Sequence, residues 1–133
     1  MFKTIRNRWK LIGVTAAITL GVFYAGSSFF IGRQVKDVVA KAQASELEDP
    51  VAALLAVVHS SETSLSEKNS AVWALGQLGR PQALAALEKM HSAKECDHSQ
   101  DICQHELDKA IDLCRGRPNL GAWIWRHGEL ASP

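Results

Sequence analysis

The sequence has no charged side chain between Leu11 and Gly32, a stretch of 22 residues that also lacks histidine. A helix of that length reaches about 33 Å, enough to cross a hydrocarbon core of about 30 Å. Because no ionisable group lies in the stretch, an ion path or proton relay along it is not expected. Residues 11–32 are therefore predicted to form a single transmembrane helix.

The rest of the chain lacks the residue patterns of the common enzyme classes. It has no Ser-His-Asp or Cys-His-Asn set, no phosphate-binding glycine loop, no dinucleotide-binding glycines and no pair of catalytic carboxylates. Covalent haem attachment is excluded because the C-x-x-C-H motif is missing. The sequence thus predicts neither an enzyme nor a cofactor-binding protein, and no small-molecule substrate is evident.

Basic residues are scarce outside the N-terminus. Four of the 15 lie before residue 11, which leaves 11 basic against 14 acidic residues in the remainder, a net charge of −3. Such a balance argues against nucleic-acid binding, which needs a clustered basic face. The four N-terminal charges (Lys3, Arg6, Arg8 and Lys10) predict that residues 1–10 stay in the cytoplasm and that the rest is exported.

A cleaved signal peptide is the competing interpretation of the N-terminus. The small residues near Tyr24, in the run Tyr24-Ala25-Gly26-Ser27, offer a cleavage site. However, Phe29, Phe30 and Ile31 extend the apolar run past that site, which makes it long for a signal peptide. Length therefore favours an anchor in a bacterial cytoplasmic membrane, with a periplasmic or otherwise extracytoplasmic C-terminal domain.

Small residues recur every four positions in the apolar run, at Gly13, Ala17, Gly21 and Ala25. That spacing places them on one side of a helix, where a second membrane helix can approach closely. The alternative is that membrane helices are simply rich in Gly and Ala. The row predicts contact with an integral membrane protein complex, in addition to membrane lipid.

Beyond the anchor, the apolar spacing is helical and predicts a small all-α domain. Residues 33–48 continue as a helical stalk, residues 49–127 form the domain, and residues 128–133 are a tail. Pro50, Pro81 and Pro118 each mark a helix start, since proline is tolerated at the first helical position. The predicted helices cover residues 51–58, 66–78, 82–91 and 101–114, with a shorter one through 123–125, and glycines end two of them, at Gly79 and Gly116.

The segment from Asn69 to Leu87, NSAVWALGQLGRPQALAAL, resembles a HEAT-like repeat of the short bacterial type. The resemblance is good over this one repeat and weaker in the flanking half-repeats, and it covers at best residues 49–125. Asn69 and Arg80 stand where the family usually has the Arg and Asp that link successive repeats. The resemblance implies a small α-solenoid of about five helices that binds other proteins.

Cysteine and histidine residues cluster between Pro81 and Pro118, which are farther apart in the sequence than Pro50 and Pro81 are. A disulfide between Cys96 and Cys103 is one interpretation, because an exported compartment is oxidising. Zinc bound by Cys96, His98, Cys103 and His105 is another, although that spacing matches no standard zinc finger. A third interpretation is that these residues are simply solvated or buried side chains. Cys114 occupies a repeat position that predicts a small buried hydrophobe.

Two tryptophans and an arginine lie near the C-terminal end of the sequence: Trp123, Trp125 and Arg126. On a helix the rings of residues two positions apart point about 200° away from each other, so one should be buried and the other exposed. An exposed Trp beside Arg predicts a protein-binding surface; contact with the membrane surface is the alternative. Together these patterns predict a membrane-anchored adaptor, an accessory or assembly subunit of a larger membrane complex, with a metal- or redox-handling protein as the alternative.

Overall fold

The computed structural model describes residues 2–44, 47–92 and 101–127, and within these ranges the side chains of residues 9–126. These ranges contain six α-helices, one 3-10 turn and no β-strand, which confirms the all-α prediction. In chain order the elements are α1 (Phe2–Gln43), α2 (Pro50–His59), α3 (Leu65–Leu78), the 3-10 turn (Pro81–Ala83), α4 (Leu84–Met90), α5 (Gln104–Cys114) and α6 (Leu120–His127).

Helix α1 joins the apolar run and the predicted stalk in one continuous element. Near the N-terminus it is long and apolar enough to cross a membrane, and the side chains of that part are almost entirely exposed. Its C-terminal part packs into the helical domain, where Val35 is 1% and Ala42 4% exposed. One helix therefore presents an apolar surface at one end and contributes to the core at the other.

Local sequence sets the helix ends. Asp49 caps α2 by accepting a hydrogen bond from the Ala52 amide at 2.8 Å. Ser64 and Glu67 form a reciprocal capping box at the start of α3. Hydrogen bonds from the Ser64 hydroxyl and amide hold the pKa of the Glu67 carboxyl below its usual 4.5.

The predicted proline and glycine signals lie close to the observed ends. Pro50 is the first residue of α2, while Pro81 opens the 3-10 turn that leads into α4. Pro118 lies two residues before α6, and the Asn119 side chain accepts a hydrogen bond from the Ala122 amide at 3.2 Å. Gly79 ends α3 with a φ of 59°, a left-handed conformation that glycine adopts without a Cβ penalty, as predicted.

Helix α3 is the centre of the domain and packs against α1, α2 and α5. Of its predicted face, Ala71, Ala74 and Leu75 are completely buried and Leu78 is half-buried. The matching face of α5 is buried as well, through Leu107, Ala110, Ile111 and Cys114. The helical faces read from the sequence are therefore the faces that form the core, whereas the assignment of this packing to a HEAT-like solenoid stays a prediction.

Candidate functional site

The predicted helix-packing row lies on the open surface of α1. Gly13, Ala17, Gly21 and Ala25 are all exposed, and a Cβ atom added at Gly13 or Gly21 would meet no other atom within 4 Å. Thr15 donates its hydroxyl to the Leu11 carbonyl at 2.9 Å, so this polar group is satisfied within the helix itself. The surface is thus suited to lipid or to a second helix.

Helix α6 packs directly on the outer part of the apolar run. The Tyr24 hydroxyl donates a hydrogen bond to the Leu120 carbonyl, and the Ser28 hydroxyl donates to the Gly121 carbonyl at 2.6 Å. Ser28 is 1% exposed. These two residues of the apolar run therefore hold the C-terminal helix of the domain against the predicted transmembrane helix.

The tryptophan pair divides as its spacing predicted, with Trp125 4% and Trp123 62% exposed. The Trp125 ring lies against the backbone of Gly32, where an added Cβ would come within 2.7 Å of the ring. Its indole N–H makes no hydrogen bond within the described part of the chain, and the ring is held by packing and by the Arg126 guanidinium 5.9 Å from its centroid. Trp125 therefore joins α6 to α1, and Trp123 is the member of the pair that faces outward.

Arg126, the third predicted protein-binding residue, is directed into the domain. Its guanidinium donates to the Gln77 carbonyl, with Nε at 2.6 Å, and to the Gly76 carbonyl at 3.2 Å. Burial lowers the pKa of this guanidinium from its ordinary value. Arg126 therefore ties α6 to the C-terminal end of α3.

We expect Gly32→Ala to loosen the contact between α1 and α6. The new methyl group would overlap the Trp125 ring, and overpacking of this kind costs about 1–3 kcal/mol. Gly26→Ala is the matched control, because a Cβ there meets nothing within 4 Å. The measurement is the thermal unfolding midpoint in mild detergent, followed by tryptophan fluorescence. Equal midpoints for the two variants would contradict the prediction.

A groove crosses the domain between α1, α3 and α5. It consists of two adjoining depressions of about 560 and 800 Å³ that share Trp73 and Glu106. Trp73 is half-buried in its floor. Polar groups line it from three directions, among them Asp37 of α1 and Lys109 of α5. An aromatic floor with a mixed polar rim is the composition typical of protein-binding surfaces.

The cysteine and histidine predictions are only partly within the described residues, because Cys96 and His98 lie outside them. Cys103 is buried at the start of α5, and its amide donates to the Asn69 side chain at 2.9 Å, while His105 is exposed. Among the described residues no group of three or more His, Cys, Asp or Glu could hold a metal ion. Both the Cys96–Cys103 disulfide and the four-residue zinc site stay predictions.

Cys114 is buried as the repeat position predicted, 2% exposed. Its thiol lies 3.7 Å from the Leu75 carbonyl, and burial raises the pKa of this thiol. A buried thiol with a raised pKa is a poor nucleophile, because the reactive thiolate is disfavoured. Cys114 therefore contributes to the packing of the core.

The functional contacts that sequence reasoning missed are those between α1 and α6. Tyr24 was considered only as part of a possible cleavage site and Ser28 was not singled out, although two polar side chains inside an apolar run are a signal that could have pointed to an intramolecular partner. Comparison with known proteins adds no family: no family model matches the chain, and no significant match is found among curated proteins or solved structures.

Proposed function

We propose that this protein is a membrane-anchored adaptor, an accessory or assembly subunit of a larger integral membrane complex. Its α1 helix would lie in a bacterial cytoplasmic membrane with the N-terminus inside, and its helical domain would be a HEAT-like docking module on the periplasmic side. The basic residues ahead of the apolar run support this orientation, because they resist translocation.

One observation carries the proposal: the helix that exposes an apolar face also forms part of the domain core. Gly13 and Gly21 lie open at one end of α1, and Val35 and Ala42 are buried at the other. A partner helix in the membrane and a partner domain on the groove around Trp73 would thus be held by one rigid element. Rigid coupling of two binding surfaces raises the effective concentration of the second contact.

The membrane surface is tested by Gly21→Leu. The bulky side chain would keep a partner helix from approaching, because close approach depends on small residues. We expect about a tenfold loss or more of the co-purified partner, equivalent to about 1.4 kcal/mol in binding free energy. The measurement is quantitative mass spectrometry after a mild-detergent pull-down.

Gly26→Leu is the matched control for this experiment. Gly26 lies in the same helix outside the small-residue row, and a Cβ there also meets nothing within 4 Å. It should leave co-purification close to the wild-type level. If Gly21→Leu retains the same partners in the same amounts, the row is not the binding surface.

A further inference from the structure

The position of α6 along α1 sets its depth in the proposed membrane. Counted from Leu11, about 20 helical residues span a hydrocarbon core of about 30 Å, which brings α1 to the outer boundary near Phe30. Tyr24 then lies about 9 Å inside that boundary, at 1.5 Å per residue. Because Tyr24 and Ser28 bind the first two residues of α6, this helix begins below the membrane surface.

The contacts also give the direction of α6. Leu120 is joined to Tyr24, Gly121 to Ser28, and Trp125 to Gly32. Residue numbers therefore rise together along the two helices, so the N-terminal end of α6 is the deepest and its C-terminal end lies near the boundary. Arg33, the residue after Gly32, is exposed and is the first charged residue after the apolar run.

The outward face of α6 has the composition that this depth requires. Leu120, at the edge of the groove beside Arg117, is 71% exposed and Trp123 is 62% exposed, and at a spacing of three residues they share one side of the helix. The opposite side, formed by Ala122 and Trp125, is buried against the protein. An apolar side chain at the deep end and a tryptophan one turn higher match the acyl region and the aromatic belt of a bilayer.

We infer that α6 inserts into the outer leaflet, with Leu120 among the acyl chains and Trp123 at the level of the lipid ester groups. The inference rests on the proposed membrane anchoring. Lipid is the occupant of this face because the apolar helix itself carries α6 to that depth. The domain is then seated on the bilayer by two elements, α1 and α6, and its orientation relative to the membrane is fixed.

Fluorescence quenching by brominated lipid tests the insertion in the full chain. A Trp9→Phe variant is reconstituted into phosphatidylcholine vesicles with or without bromine on the acyl chains, and is compared with Trp9→Phe/Trp123→Phe. We expect brominated lipid to quench the first variant and the second to lose most of that quenching. Bromines near the ester end should quench more strongly than bromines near the chain end.

Trp9→Phe/Trp73→Phe is the matched control, because Trp73 lies in the groove and its removal should raise the quenched fraction. Leu120→Ser should weaken quenching without loss of folding, since this side chain is exposed. Equal quenching with and without Trp123 would overturn the insertion of α6. If the protein still floats with the vesicles, the membrane anchor is upheld in that case. Failure to float would overturn both. The experiment contains no partner, so the adaptor proposal is judged separately by Gly21→Leu.

Discussion

Replacing Gly76 by Leu is expected to unfold the helical domain by separating α3 from α5. A Cβ atom at Gly76 would lie 2.8 Å from the Ala110 Cα atom and 3.0 Å from its Cβ atom. These are backbone-proximal atoms that cannot rotate away, so the helices must move apart. Core side chains of the two helices, such as Leu75 and Leu107, would then lose burial.

The smaller substitution Gly76→Ala has two opposing effects on stability. Alanine is favoured over glycine within a helix by about 1 kcal/mol, whereas overpacking costs about 1–3 kcal/mol. Because the overlap involves backbone atoms, we expect net destabilisation. Urea unfolding in mild detergent, followed by tryptophan fluorescence, measures it. Ser70→Ala, at an exposed position of α3, is the control, and a Gly76→Ala midpoint at or above that of the control would show that the helices yield without cost.

Most of the helical domain was predictable because its signals are local. The helical spacing at Ala71, Ala74 and Leu75 identifies the buried face of α3, and Gly79 ends the helix because only glycine readily adopts the left-handed conformation there. The bounds of α4 and α5 were less accurate. Pro81 begins a 3-10 turn rather than the α-helix, and α5 begins at Gln104, three residues after the predicted start.

The contacts between distant segments were not predictable from local patterns. Glycine normally weakens a helix, so the sequence alone gives no reason for Gly76 in α3. The close approach of Ala110 supplies that reason. In the same way, the burial of Trp125 depends on Gly32, more than ninety residues earlier in the chain. Spacing predicted that one tryptophan of the pair is buried, but it could not identify which, because that choice is made by α1.

Arg126→Met is expected to destabilise the attachment of α6 by about 2–3 kcal/mol. The last carbonyls of a helix have no partner within it, and Arg126 donates to two of them, at Gly76 and Gln77. Hydrogen bonds from a charged donor contribute about 1.5–3 kcal/mol, and a cation also interacts favourably with the C-terminal end of the helix dipole. Methionine preserves length and apolar contact but leaves both carbonyls without this donor.

Two further variants separate geometry from charge in the same unfolding measurement. Arg126→Lys keeps the charge and loses the planar fork, so it should recover only part of the lost stability. Arg117→Met removes an exposed arginine whose ion pair with Asp112 lies at the surface, and should cost less than about 1 kcal/mol. If Arg126→Met and Arg117→Met unfold at the same urea concentration, the guanidinium at the end of α3 contributes no more than a surface charge. The attachment of α6 would then depend mainly on its contacts with Tyr24, Ser28 and Gly32 of α1.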